Sequence, residues 1–72
     1  MTLKEKLKSC KKLNPYKYLY LIRQRDGNVM LGSSDWEHIF KWLKEKKIEN
    51  KKVTGYLHSI YAYRVWYDDE GE

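Results

Sequence analysis

The chain has 72 residues, a formal net charge of +5 and a single cysteine, Cys10. This length allows one domain with one modest core, since a domain of this size buries only about 60% of its unfolded surface. One cysteine excludes an intramolecular disulfide framework and a zinc site of paired thiolates, and it favours a reducing, cytoplasmic setting. No secretion signal is visible and no apolar run approaches the ~18–20 residues that span a bilayer, so we expect no membrane partner.

The charge is unevenly distributed along the chain. The C-terminus is acidic, with carboxylates at Asp68, Asp69, Glu70 and Glu72. Residues 1–67 have 15 basic and 6 acidic side chains, a net charge of +9. We therefore expect one domain over residues 1–72, with a flexible acidic tail at 68–72. A body this basic favours a polyanionic partner, although the lysines could serve only to keep a small protein in solution.

A short amphipathic helix is predicted at the start of the chain, over residues 3–13. Thr2 and Glu5 have the Thr-x-x-Glu spacing of a capping box. Apolar side chains recur at helical spacing, at Leu3, Leu7, Cys10 and Leu13. Asn14-Pro15 ends the helix, because proline restricts the preceding residue to extended conformations.

A β-hairpin is predicted next. Residues 16–25 are rich in strand-forming residues and alternate between two faces, both of which include apolar side chains. Asp26-Gly27 is typical of a two-residue hairpin turn, and residues 28–31 form the returning strand.

The spacing of apolar residues predicts a second helix over residues 35–47. Ser34 and Glu37 again have capping-box spacing. An apolar stripe follows at i, i+3, i+4 and i+7, formed by Trp36, Ile39, Phe40 and Leu43. Trp42 lies at the edge of this stripe and His38 lies opposite it.

The last third of the chain is less clear. Apolar spacing slightly favours a second short helix over residues 50–59, but Gly55 disfavours it and a strand over 52–57 is the alternative. Residues 60–67 are predicted to form a final strand. The predicted fold is α+β, with helices packed on a small three-stranded antiparallel sheet made by the hairpin and the final strand.

Few side chains could act in catalysis. Cys10 could pair with His38 or His58 as nucleophile and base, but it lies on an apolar stripe, where cysteine usually packs as a small hydrophobe. Neither histidine has companion ligands at metal-binding spacing. The sequence therefore predicts a protein that is not an enzyme and that uses no metal or cofactor.

Basic and aromatic side chains are the stronger functional pattern. The basic residues that we expect at a nucleic-acid interface are Lys41, Lys44, Lys47, Lys51, Lys52 and Arg64. The aromatic residues that we expect at a partner interface are Tyr18, Tyr20, Trp42, Tyr61 and Tyr63. About half of the aromatic residues must instead fill the core, because few other large apolar side chains are present.

The order of features over residues 26–69 carries one resemblance. Asp26-Gly27-Asn28-Val29 and Ser33-Ser34 precede an amphipathic helix, the predicted second helix and an aromatic strand at 63–69. This order resembles the modular DNA-binding repeats of phage and intron homing endonucleases, which implies a helix-turn-helix whose second helix contacts DNA. The chain departs from those repeats in having no nuclease domain, and in having bulky aromatic residues where their first helix is alanine-rich.

Two functions remain open at this point. The first is a small DNA-binding protein of a phage or mobile element that contacts phosphates through lysines. The alternative is an accessory or inhibitor protein that binds and blocks a host enzyme or defence complex. The chain is expected to be a monomer or a homodimer, and a homodimer would pair through an aromatic sheet face or a strand edge.

Overall fold

The computed structural model describes residues 1–69 and has an α+β fold, as predicted. Its elements follow in the order α1 (Leu3–Leu13), β1 (Tyr18–Arg23), β2 (Val29–Ser33), α2 (Trp36–Lys46), β3 (Lys52–His58) and β4 (Ala62–Asp68). Within residues 1–69, no helix is long and apolar enough to cross a bilayer.

The sheet has four strands in the order β2-β1-β4-β3, so the prediction of three antiparallel strands was wrong in number and in direction. The outer pairs, β1 with β2 and β3 with β4, are antiparallel, whereas the central pair, β1 with β4, is parallel. The difference arises because residues 52–58 form a strand that pairs with β4. The hairpin of β3 and β4 then joins the first hairpin through β4, which runs in the same direction as β1.

The short helix predicted over residues 50–59 was wrong, because Lys52–His58 is strand β3. One edge of this strand pairs with β4. At the start of its other edge, the Val53 N–H donates to the Met1 carbonyl over 3.1 Å and Thr2 forms a bridge with Lys52. The spacing of apolar residues in this segment fits both a helix and a strand. Hydrogen bonds to distant parts of the chain therefore determine that it is a strand.

Both helices begin at a residue whose side chain accepts backbone N–H groups. The capping box of Thr2 and Glu5 is confirmed at α1. At α2 the N-cap is Asp35 and not Ser34, because the Asp35 carboxylate accepts from the N–H groups of Glu37 and His38 over 3.1 and 3.3 Å. The Ser33 hydroxyl in turn accepts from the Asp35 N–H over 3.0 Å.

The predicted hairpin is confirmed, but its loop is longer than two residues. The Arg23 N–H donates to the Asn28 carbonyl over 2.9 Å, so the closing pair encloses four residues, 24–27. Gly27 has φ of +71°, a left-handed conformation that favours glycine. The loop is therefore built by Asp26 and Gly27, as their residue types predict.

The core lies between the helices and one face of the sheet. Strand register places five buried residues on this face, Leu19, Leu21, Tyr63, Val65 and Tyr67. The helices pack on them with Leu3, Leu7, Cys10, Trp36, Ile39 and Leu43. The packing role predicted for Cys10 is confirmed, since its side chain is fully buried. The opposite face of the sheet has no helix over it in the described part of the chain.

The acidic C-terminus is partly incorporated into the fold. Asp68 is the last residue of β4, and an Asp69 carboxylate oxygen lies 4.0 Å from the Arg23 guanidinium. These two residues therefore do not belong to a free tail. The rest of the predicted acidic tail, residues 70–72, lies outside the described residues.

Candidate nucleic-acid interface

An open groove of about 430 Å³ runs between the outer surfaces of α1 and α2. Its lining consists of Lys4, Lys8, Phe40, Lys41, Lys44 and Glu49, which we call the lysine groove. Four of these six residues are lysines, and one is a carboxylate. The groove therefore has the charge that a phosphate backbone requires.

The two helices place these lysines by simple spacing. Lys4 and Lys8 are four residues apart on α1, and Lys41 and Lys44 are three apart on α2, so each pair lies on one face of its helix. All four are exposed, whereas most of each apolar stripe is buried in the core. The exceptions are Leu13 of α1, which is 68% exposed, and Phe40 of α2, which is half-buried. Each helix is thus held in place by its buried residues and directs two lysines toward the groove.

Phe40 provides an apolar surface within the lysine groove. Its side chain is half-buried, and the Lys11 ammonium lies 6.0 Å from the ring centroid, at the limit of a cation–π contact. The segment that supplies Glu49 is fixed to the start of α1. The Lys4 N–H donates to the Glu49 carbonyl over 3.0 Å, and the Leu3 N–H donates to the Lys51 carbonyl over 2.9 Å.

The six basic residues predicted from the sequence do not form one surface. Lys41 and Lys44 line the lysine groove, and Lys51 lies in the segment bound to the start of α1. Lys47 is the C-cap of α2, where its backbone has φ of 59°. Lys52 is the first residue of β3, bridged to Thr2 and in register with Asp68, and Arg64 is on the uncovered sheet face.

Lys4 and Lys8 were not among the residues predicted for a nucleic-acid interface. That prediction depended on lysines near the junction of two helices at 35–47 and 50–59, and the second of these is strand β3. The helix-turn-helix interface predicted at this junction is therefore absent from residues 1–69. The i, i+4 spacing of Lys4 and Lys8 on the polar side of α1 was the available signal.

The five predicted partner-binding aromatic residues are also separated. Tyr18 and Tyr20 lie on the uncovered sheet face, and Tyr61 is 80% exposed in the connection between β3 and β4. Trp42 is half-buried and lines a smaller cavity of about 240 Å³ beside Arg23. Tyr63 is 2% exposed in the core, so its ring is not available to a partner.

The structure brings Cys10 and His58 together, with the Sγ atom 3.9 Å from Nε2. Burial raises the pKa of the Cys10 thiol, despite the opposing effect of Lys6 and Lys17. Partial burial and then the same two lysines lower the pKa of His58. A protonated, fully buried thiol is not an activated nucleophile, so this pair is best explained as packing. Among residues 1–69, no three His, Cys, Asp or Glu side chains cluster as a metal site would require.

Comparison with known proteins adds no further information on this interface. No protein-family model, no curated protein and no solved structure matches the chain.

Proposed function

We propose that this chain is a small, non-enzymatic nucleic-acid-binding protein that contacts duplex DNA through the lysine groove. The single observation that supports this function is the convergence of Lys4 and Lys8 of α1 with Lys41 and Lys44 of α2 on one groove. Four ammonium groups on two fixed helices can neutralise neighbouring phosphates and release the counterions that those phosphates hold.

The chemistry of the lysine groove favours contacts with DNA phosphates over sequence-specific contacts with bases. A lysine ammonium is a flexible point charge, and it lacks the fixed planar geometry with which arginine, asparagine or glutamine form bidentate contacts to base edges. The groove contains none of these three residue types. We therefore propose that duplex binding depends strongly on salt and weakly on sequence.

A salt-dependent titration of duplex DNA with matched double variants tests this function. Lys41→Ala with Lys44→Ala removes two charges from the groove, and Lys12→Ala with Lys46→Ala removes two exposed charges that do not line it. The groove variant is expected to flatten the slope of log affinity against log salt by about 1.8, because each lost phosphate contact contributes about 0.9. The control variant is expected to retain the slope of the wild-type protein.

Two results would contradict the proposed function. One is an equal change of slope in both double variants, which would mean that the charge acts without a defined groove. The other is the absence of wild-type binding to duplex DNA even at low salt. The basic surface would then serve solubility or an acidic protein partner, as in the inhibitor alternative.

A further inference from the structure

The uncovered face of the sheet is aromatic along its two central strands. Tyr18, Tyr20 and Ile22 of β1 alternate with the core residues of that strand, as do Arg64 and Trp66 of β4. Register places Tyr20 beside Arg64 and Ile22 beside Trp66. The face therefore presents three aromatic rings and one guanidinium, with Ile22, only 7% exposed, beside Trp66 at one end.

Gly32 determines how the two tyrosine rings lie. It is the β2 partner of Tyr20, and a Cβ atom at this position would stand 3.2 Å from the Tyr18 ring and 3.4 Å from the Tyr20 ring. The rings therefore approach the backbone of Gly32 more closely than a Cβ atom would allow without a shift of a few tenths of an ångström. Their centroids are 5.0 Å apart, and Tyr18 remains 41% exposed.

Arg64 adds a positive charge to these rings. Its guanidinium carbon lies 5.5 Å from the Tyr20 ring centroid, within cation–π range. Tyr18 is exposed and Tyr20 and Trp66 are half-buried. Partly exposed aromatic rings beside an arginine suit the stacking of unpaired bases with a phosphate contact nearby. Four-stranded sheets that bind single-stranded RNA use aromatic residues for such stacking. The charge of the molecule is also complementary, since residues 1–69 have 15 basic and 8 acidic side chains.

We infer that this face, defined by Tyr18, Tyr20, Arg64 and Trp66, is a second binding surface that stacks the unpaired bases of a single-stranded nucleic acid. The inference shares the class of partner with the proposed function, but it depends on a different side of the molecule. The lysine groove binds phosphates on the helix side, and the aromatic face binds bases on the sheet side.

Fluorescence titrations with two single strands of equal length test this inference. The first is oligodeoxythymidine of about 12 nucleotides, within the range that one small domain covers, and the second is the same backbone without bases. The wild-type protein is expected to bind the strand with bases more tightly, and stacking is expected to quench its indole emission. Trp66→Phe should remove this quenching, because Trp36 is buried and Trp42 packs on the helix side.

Matched variants separate the aromatic face from the rest of the surface. Tyr18→Ala should weaken binding of the thymidine strand by about 5- to 150-fold, the range that corresponds to the loss of one stacking ring. Tyr16→Ala removes a tyrosine that is 89% exposed outside the sheet, and it should leave the affinity unchanged. Gly32→Ala should also weaken binding by displacing both rings. Gly55→Ala is its control, because a Cβ atom there would meet nothing within 4 Å.

Equal affinity for the two strands would overturn the inference, as would quenching that persists in Trp66→Phe or equal effects of the two tyrosine variants. The aromatic face would then be better explained as a contact for a protein partner or for a second copy of the chain. The two proposals fail separately. Loss of duplex binding alone contradicts the lysine groove, whereas loss of base-dependent binding alone contradicts the aromatic face.

Discussion

Single residues determine where the elements of this small fold begin and turn, and Asp26 is the clearest case. Its carboxylate accepts from the Asn28 N–H over 3.1 Å and from the Arg23 guanidinium over 2.6 and 3.1 Å. The short Asp26 side chain therefore stabilises the four-residue loop and forms an ion pair with Arg23, the last residue of β1. The sequence predicted a turn residue at this position, but the ion pair with Arg23 depends on the loop conformation and was not predicted.

Asp26 should make stability depend on pH in the acid range. Hydrogen bonding to Arg23, and then to the Asn28 backbone, lowers the pKa of Asp26 from 3.8 to about 2. Because the pKa of Asp26 is lower in the folded than in the unfolded state, its ionised carboxylate stabilises the native state when the pH is above the unfolded-state pKa. This contribution is lost as the pH falls from about 4 to about 2. Urea unfolding of the wild type and of Asp26→Asn at several pH values measures the difference. The difference in unfolding free energy between the two proteins should decrease as the pH falls from about 4 to about 2. A difference that stays constant would contradict the lowered pKa of Asp26.

At the scale of elements, some helices and strands are determined by local sequence signals and others by contacts between distant residues. Helix α1 occupies residues 3–13 as predicted, because its capping box, apolar spacing and proline stop all lie within 15 residues. For residues 52–58 the sequence slightly favoured a helix over strand β3, because the spacing of Val53 and Tyr56 fits both. The contacts that decide for a strand lie in β4 and at Met1, which are distant in the sequence. The parallel pairing of β1 with β4 likewise depends on where the second hairpin docks, which no local pattern specifies. Half of the lysine groove, Lys41 and Lys44, was predicted from charge density, and the other half required the packing of α1 beside α2.

The start of α2 offers a direct test at this scale, because two adjacent residues could each have capped it. Asp35→Ala should destabilise the protein by about 1 kcal/mol, since the Glu37 and His38 N–H groups lose their acceptor. Ser34→Ala should change stability by less than about 0.5 kcal/mol, as is usual for an exposed residue without such a role. Urea midpoints of the two variants give the comparison. A larger loss in Ser34→Ala would restore the capping box predicted from the sequence.

At the scale of the whole molecule, two layers share one core and expose two different surfaces. The helix layer buries its apolar stripes and turns lysines outward, whereas the sheet turns one face to the core and leaves an aromatic face uncovered. A chain of 72 residues has few alternatives, since each element must contribute to the same small core. Both proposed binding surfaces therefore depend on the packing between the layers.

Leu43 tests this dependence on the core. It is fully buried in the last turn of α2, and Leu43→Ala should reduce the free energy of unfolding by about 2–5 kcal/mol through lost contacts and a cavity. That loss is a large part of the total for a domain of this size. Glu45→Ala, an exposed position on the same helix, should stay within about 0.5 kcal/mol of the wild type. Equal denaturation midpoints for the two variants would mean that the apolar stripe of α2 does not face the core.

The most direct test of the proposed function is an amide chemical-shift titration of the wild-type protein with duplex DNA at low salt. It needs no substitution and reports on both surfaces at once. If duplex DNA binds in the lysine groove, the amides around Lys4, Lys8, Lys41 and Lys44 should shift, and these shifts should diminish as salt is added. Val29 and Leu57, on the edge strands of the uncovered sheet face, should change little. The absence of any shift at low salt, or shifts that avoid both helices, would contradict it.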